Sequence, residues 1–384
     1  MTSVNRAGRR RPLPSKPFKK LPSSKMDEST SVSATPEDTN ELQGMLAQVQ
    51  QCIDMFQYEE AREICSRAVL LAPEDADIRY QLGCICLELG DFQGGFENIR
   101  LSLNLEPETT PDRFFAFAQL IPGREAVQVY EHGLKVYNDQ VTTTDNVTDD
   151  FKRKVSTACC AAAEIFMTDL CDDEDAEIQC SSWLERAMST DPTNPEVFRV
   201  LADLRMCQEK PEEARESVLK ACSLWAIELD QLINPSDCTD TDCLLAEFPS
   251  YESRISAAKI LIELGDFETA VGILEQLLKE DDSVLMTWYL LGFALKSQAT
   301  ASQSAPLEDA IEGALRVARR DGHLAYPQMT SDDELVNEIL AWARELEMQV
   351  DLDAVEEDET EEAVMDLEEA LKEAERLDEE LSNE

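Results

Sequence analysis

Two histidines, twelve cysteines and one glycosylation-type tripeptide are the residues of this chain whose types could do chemistry. His132 and His323 lie far apart in sequence, without the companions that a metal ion or a general base needs, so each reads as a surface or structural histidine. Cys84 and Cys86, Cys159 and Cys160, and Cys238 and Cys243 are close pairs, yet no CxxC pair recurs at zinc-binding distance. Several of them fall where a small residue packs, so no metal is expected. Asn146, Val147 and Thr148 match the glycosylation sequon, which has meaning only in a secreted protein. The amino terminus carries Arg and Lys with no apolar core behind them; no secretory leader is expected, and the thiols are expected to be reduced. With no glycine-rich phosphate loop and no Ser-His-Asp arrangement, neither catalysis nor a cofactor is expected.

The elements that carry these residues repeat. Tyr58, Ala61, Cys65, Ala68 and Pro73 are answered thirty-four residues later by Phe92, Gly95, Ile99, Ser102 and Pro107. Leu82 and Gly83, Leu291 and Gly292 after Trp288, and the turns Gly90-Asp91-Phe92 and Gly265-Asp266-Phe267 belong to the same pattern. This resembles the tetratricopeptide repeat, in which two antiparallel helices of about a dozen residues stack copy on copy because one pair cannot bury its apolar face alone. The spacing predicts an all-α solenoid, a right-handed superhelix of about seven helix pairs. Two pairs are irregular: Pro122-Gly123 shortens one helix, and Asn138 to Asp149 reads as a polar loop. Ser331 and Glu334 have capping-box spacing, and Leu335, Ile339, Trp342 and Leu346 line one face, so Ser331 to Met348 predicts a helix capping the last repeat.

The formal charge of −46 over 384 residues disfavours nucleic acid as a direct ligand and favours a strongly basic protein. Residues 1–40 read as a disordered basic extension and linker, 41–348 as the superhelix with its cap, and 349–384 as an acidic tail. Met1 to Lys25 holds eight basic residues and no acidic one. Arg9, Arg10 and Arg11 with Lys19 and Lys20 form two clusters, read either as a nuclear targeting signal for an import receptor or as a tail that leans on the acidic body or on RNA. No apolar run is long enough to span a membrane, so the chain is expected to be soluble, in cytoplasm and nucleus, and a monomer.

Residues offset from the packing face of each first helix should line the concave surface. They include Asp54, then Asp77, Tyr80 and Glu88, Glu196 and Asp203, Glu252 and Glu263, and finally Tyr289 and Phe293. This set carries seven carboxylates against three cations, Arg199, Lys259 and Lys296. Apolar patches rimmed by carboxylates suit a segment that alternates Lys or Arg with apolar anchors. The alternative is a generally acidic surface with no localised groove.

The order of parts, basic extension, tetratricopeptide superhelix and acidic tail, resembles that of the fungal assembly chaperones dedicated to large-subunit ribosomal protein four. That resemblance implies a concave surface that holds an RNA-binding loop of a newly made basic client and a complex that delivers it to nuclear pre-ribosomes. The other function open to such repeats is a co-chaperone that clamps the acidic tail of a heat-shock chaperone. That clamp uses Lys, Arg and Asn on an inner face, whereas the inner face predicted here is acidic.

Overall fold

A computed structural model describes residues 36–107, 110–143, 148–225, 249–298, 304–321, 323 and 331–348. All regular structure among them is helical, in fifteen helices. Odd-numbered helices are the first (A) and even-numbered the second (B) of each pair. The pairs are α1 (Pro36–Asp54) with α2 (Tyr58–Leu71), α3 (Ala76–Glu88) with α4 (Phe92–Leu105), and α5 (Pro111–Ala118) with α6 (Gly123–Thr143). They continue as α7 (Asp149–Met167) with α8 (Ala176–Thr190), α9 (Pro195–Cys207) with α10 (Pro211–Ser223), and α11 (Tyr251–Glu263) with α12 (Phe267–Glu280). The last pair is α13 (Leu285–Gln298) with α14 (Ser304–Arg320), followed by a single helix, α15 (Ser331–Glu345). The chain thus forms the expected all-α tetratricopeptide fold, in two compact units that divide within α12, after Gln276. The basic clusters at Arg9 to Arg11 and at Lys19 and Lys20, together with the acidic tail, lie outside the described residues.

Helix starts are set by local chemistry. Asp75 accepts hydrogen bonds from the Asp77 and Ile78 amides, both at 3.0 Å, Asp91 from Gly94 at 2.8 Å and Asn194 from Glu196 at 3.0 Å, each satisfying amides that a first turn leaves unpaired. Proline opens α5, α9 and α10, where its missing N–H costs nothing.

The turn from an A helix to its B helix recurs with one geometry. In α3 the Gly90 amide bonds the Leu87 carbonyl at 2.9 Å and the Asp91 amide that of Cys86 at 2.8 Å, with Gly90 at φ 74°. Phe56 and Glu209 make the same two bonds with φ of 57° and 58°, as does Gly265 with φ of 74°. The turn needs a left-handed residue, and outside glycine that conformation costs about 1–2 kcal/mol.

Within a pair the helices cross closely. A Cβ on Gly83 would stand 2.6 Å from Ile99 Cγ1 and 3.1 Å from the Ile99 backbone nitrogen, and Ile99 is fully buried. Ser102 Oγ donates to the Ala76 carbonyl at 2.7 Å, and Ser156 Oγ to that of Ala187 at 2.9 Å, so hydroxyls as well as methyls stitch A to B. In the second unit Trp288 packs against Gly313, and Trp342 of α15 stands over Gly292, where a Cβ would meet it at 3.0 Å. Ile339, Trp342 and Ala343 close this core together with Ile311, Leu315 and Leu285, which is the expected capping role of α15.

Three boundaries differ from the sequence reading. Helix α1 begins at Pro36, so residues 36–40, expected as linker, are helical. Helix α6 runs through Asn138 to Thr143, read above as loop; no Gly or Pro follows Gly133 to stop it, and Tyr137 packs on Phe151 at 5.2 Å. Polarity there marks exposure, not a helix end. Helix α15 stops at Glu345 rather than Met348, because Glu347 takes a left-handed φ of 56°.

Gly83→Val should therefore wedge α3 from α4 and lower stability by about 1–3 kcal/mol, read as a lower urea midpoint; an unchanged midpoint would show that the crossing has slack. Glu209→Gly should raise stability by up to about 1 kcal/mol by relieving the left-handed residue. A lower midpoint would mean that the Glu209 side chain contributes more than the conformation costs.

Candidate functional site

A groove of about 1120 Å³ opens in the first unit, walled by residues of α3, α5, α7, α9 and α11. Its apolar surface comes from Tyr80, Phe115, Ala116, Ala158, Pro195 and Pro249. Its carboxylates are Asp112, Asp149, Asp150, Asp191 and Glu196, against the cations Lys152, Arg153 and Lys154. Those cations are already engaged: Lys152 with Asp149 at 2.7 Å, Lys154 with Asp150 at 3.0 Å and Arg153 with Asp191. Burial raises the pKa of Asp191, but hydrogen bonds from Arg153 and Thr193 outweigh it and hold the carboxyl below its ordinary range.

Asn194 positions the groove wall. Its carbonyl caps α9, and its amide donates to Ser156 Oγ at 3.0 Å and Thr157 Oγ1 at 3.1 Å, locking the start of α9 to α7. One step further in, the buried guanidinium of Arg199 binds Glu164 of α7 at 2.6 Å, Asp203 at 2.9 Å and Glu196. Glu196 also accepts from Ser253 Oγ of α11, so one arginine ties three consecutive A helices. Burial would lower the Arg199 pKa, yet Glu196 and Glu164 raise it, and the charge is permanent. Arg113 does the same between α5 and α3, binding Asp77 and, at 3.3 Å, Glu106. Removing either cation would leave carboxylates without compensation.

The carboxylates of the candidate face consequently fall into two sets. Asp77, Glu196 and Asp203 are paired with Arg113 and Arg199, each cation being shared among two or three carboxylates. Asp54, Glu88, Glu252 and Glu263 are exposed and form no ion pair among the described residues. Asp54, Glu88 and Glu263 end their helices, α1, α3 and α11, whose last turns hold no basic residue. A carboxylate there adds to the negative end of the helix dipole, an arrangement that a cation from outside would relieve.

The groove brings together Tyr80 and Glu196 of the predicted residues. In the second unit Tyr289 and Phe293 are half-buried against α15: Tyr289 stacks on Trp342 with ring centres 5.3 Å apart and donates to Glu338 at 2.8 Å. Of the three predicted cations Arg199 is buried, Lys296 pairs with Glu345 and Lys259 is exposed. Sequence reasoning missed Asp112, Ser253 and the run Lys152 to Lys154. The period slips at α5 and α7, so no A-helix offset was carried across them; applied there, it would have found Asp112 next to Pro111.

Burial pushes the thiols of Cys65, Cys159 and Cys180 up to about 12, so they stay neutral and unreactive. Among the described residues no cluster could hold a metal ion, and no helix is long and apolar enough to cross a membrane. His132 is exposed against Phe114, and His323 lies 3.8 Å from Asp332.

No family model matches the chain. It is 31% identical over 240 residues to a protein of Schizosaccharomyces pombe named "Probable assembly chaperone of rpl4", covering 61% of this chain and 68% of the relative. A protein of the same name from Emericella nidulans is 24% identical over 274 residues, covering 68% of this chain and 66% of the relative. The chain thus spans about two thirds of the length of these relatives. Among solved structures it is similar to "Assembly Chaperone of RpL4 (Acl4)", residues 1–338, with a TM-score of 0.55 and 25% identity over 66% of this chain and 95% of that one. Proteins so named work by binding and not by catalysis. This similarity shows that the chain belongs to the family of rpl4 assembly chaperones.

Proposed function

We propose that the chain is a dedicated chaperone of ribosomal protein rpl4, which it binds and shields through the A-helix face and escorts to nuclear pre-ribosomes for assembly of the large subunit. The observation that carries this reading is the set of open carboxylates on the A helices, Asp54, Glu88, Glu252 and Glu263, in a chain whose first unit also carries a groove with apolar surface. A ribosomal protein is rich in Lys and Arg because it binds phosphates, and once made it needs those charges covered until it meets RNA. Carboxylates at the ends of α1, α3 and α11 supply that cover, and the apolar groove wall accepts the side chains between the charges.

The basic clusters of Arg9 to Arg11 and of Lys19 and Lys20 would serve an import receptor, placing the protein in cytoplasm and nucleus. The net charge of −46 keeps copies apart, in keeping with a monomer that carries one client.

The test is titration of purified rpl4 into charge variants at low and high salt. Glu88→Lys, Glu252→Lys and Glu263→Lys combined should weaken binding by roughly tenfold or more and flatten its salt dependence, with helicity unchanged. Asp77→Asn and Asp203→Asn should instead lower thermal stability more than affinity, because their partners Arg113 and Arg199 are buried. If the triple reversal binds rpl4 as the wild type does, the A-helix face is not the client surface.

A further inference from the structure

At the turn between α1 and α2 the chain places Met55 and Phe56 in solvent, 57% and 72% exposed, and one repeat later Phe92 is 50% exposed. Single exposed apolar residues are ordinary, but Met55 and Phe56 adjoin each other at this turn, and Phe92 follows the equivalent turn of the next repeat. Phe56 is the informative one. It holds the left-handed turn position that Gly90 holds in the next repeat, so a site that favours glycine carries a bulky ring. That ring meets Tyr58 edge-on at 6.4 Å and leaves most of its surface in water. Glycine would hold this backbone conformation at less cost, so the exposed ring brings the turn no evident gain in stability. Glu59 and Glu60 follow it in the chain, and Asp91 follows Gly90 at the equivalent turn, all exposed and none in an ion pair among the described residues. None of the patch or its rim lines the groove.

We propose that this corner is a second docking surface, taking a basic segment of the ribosomal client that presents an apolar side chain between Lys or Arg residues. The inference rests on the reading of rpl4 as client. A second copy of the chain fits poorly, since it would bring the same rim of carboxylates against this one. A client held at both groove and corner is attached bivalently: while one contact is open, the other keeps the freed segment at high local concentration.

The experiment compares wild type, Phe56→Gly and Glu209→Gly as full chains titrated with purified rpl4 at low salt, with thermal melts of each. Glu209→Gly makes the same backbone change at a turn that carries no aromatic. Phe56→Gly should weaken binding by about tenfold, as loss of an aromatic anchor does, with Tm equal to or above wild type, while Glu209→Gly binds normally. Affinity within about twofold of wild type, or a lowered Tm for Phe56→Gly, overturns the inference. So does tighter binding, which would mean that the basic residues 1–25 of the chain itself occupy the corner. Failure of the wild type to bind rpl4 overturns the functional reading first, and this inference with it.

Discussion

A pair of short amphipathic helices covers part of its apolar surface with itself and leaves the rest bare, so every pair in this chain depends on its neighbour. The dependence is met by close approach. Gly83 admits Ile99, Ser102 bonds across to Ala76, and in the second unit Trp342 of α15 closes over Gly292, where the run of pairs would otherwise end on exposed Leu and Trp. Because each contact joins only sequence neighbours, the A helices of the first unit present a row of side chains whose spacing the packing sets. The groove is built on that row.

Charge is distributed along it in two ways. Arg113 and Arg199 are buried at junctions between A helices, and each binds two or three carboxylates at once, holding those helices in register. The remaining carboxylates have no such partner, and three of them, Asp54, Glu88 and Glu263, stand at helix C-termini where the backbone dipole already disfavours them. An acidic surface of this kind is not uniform. Some of its carboxylates are tied to buried arginines and some form no ion pair among the described residues.

Much of the fold was readable from the residues because small, apolar and turn-forming types recur at fixed offsets: Gly83, Gly90, Gly265, Trp288 and Trp342 all stand where the period put them. The helix limits were less readable. Asn138 to Thr143 look like a loop in composition, yet without Gly or Pro nothing stops α6 there. The site was legible by face but not by partner. Helix periodicity placed Asp77, Glu196 and Asp203 on one side, and only the coordinates reveal that Arg113 and Arg199 answer them. Tyr289 and Phe293 obey the same offset, but in the last repeat α15 takes up that face, which no local pattern announces. The slip of register at α5 hid Asp112 for a simpler reason, since an offset cannot be carried across an irregular repeat.

The helix-end carboxylates without cations imply something about the empty protein. Each adds negative charge to the negative end of its own helix dipole, a cost the folded chain bears whenever nothing basic is bound, and mobile cations relieve it. Ionic strength therefore acts on the two states in opposite senses, steadying the vacant chain while loosening the loaded one. On the function proposed above, dissolved salt and bound client would be competing counterions for these carboxylates, and handing the client to RNA would exchange one polyanion for another.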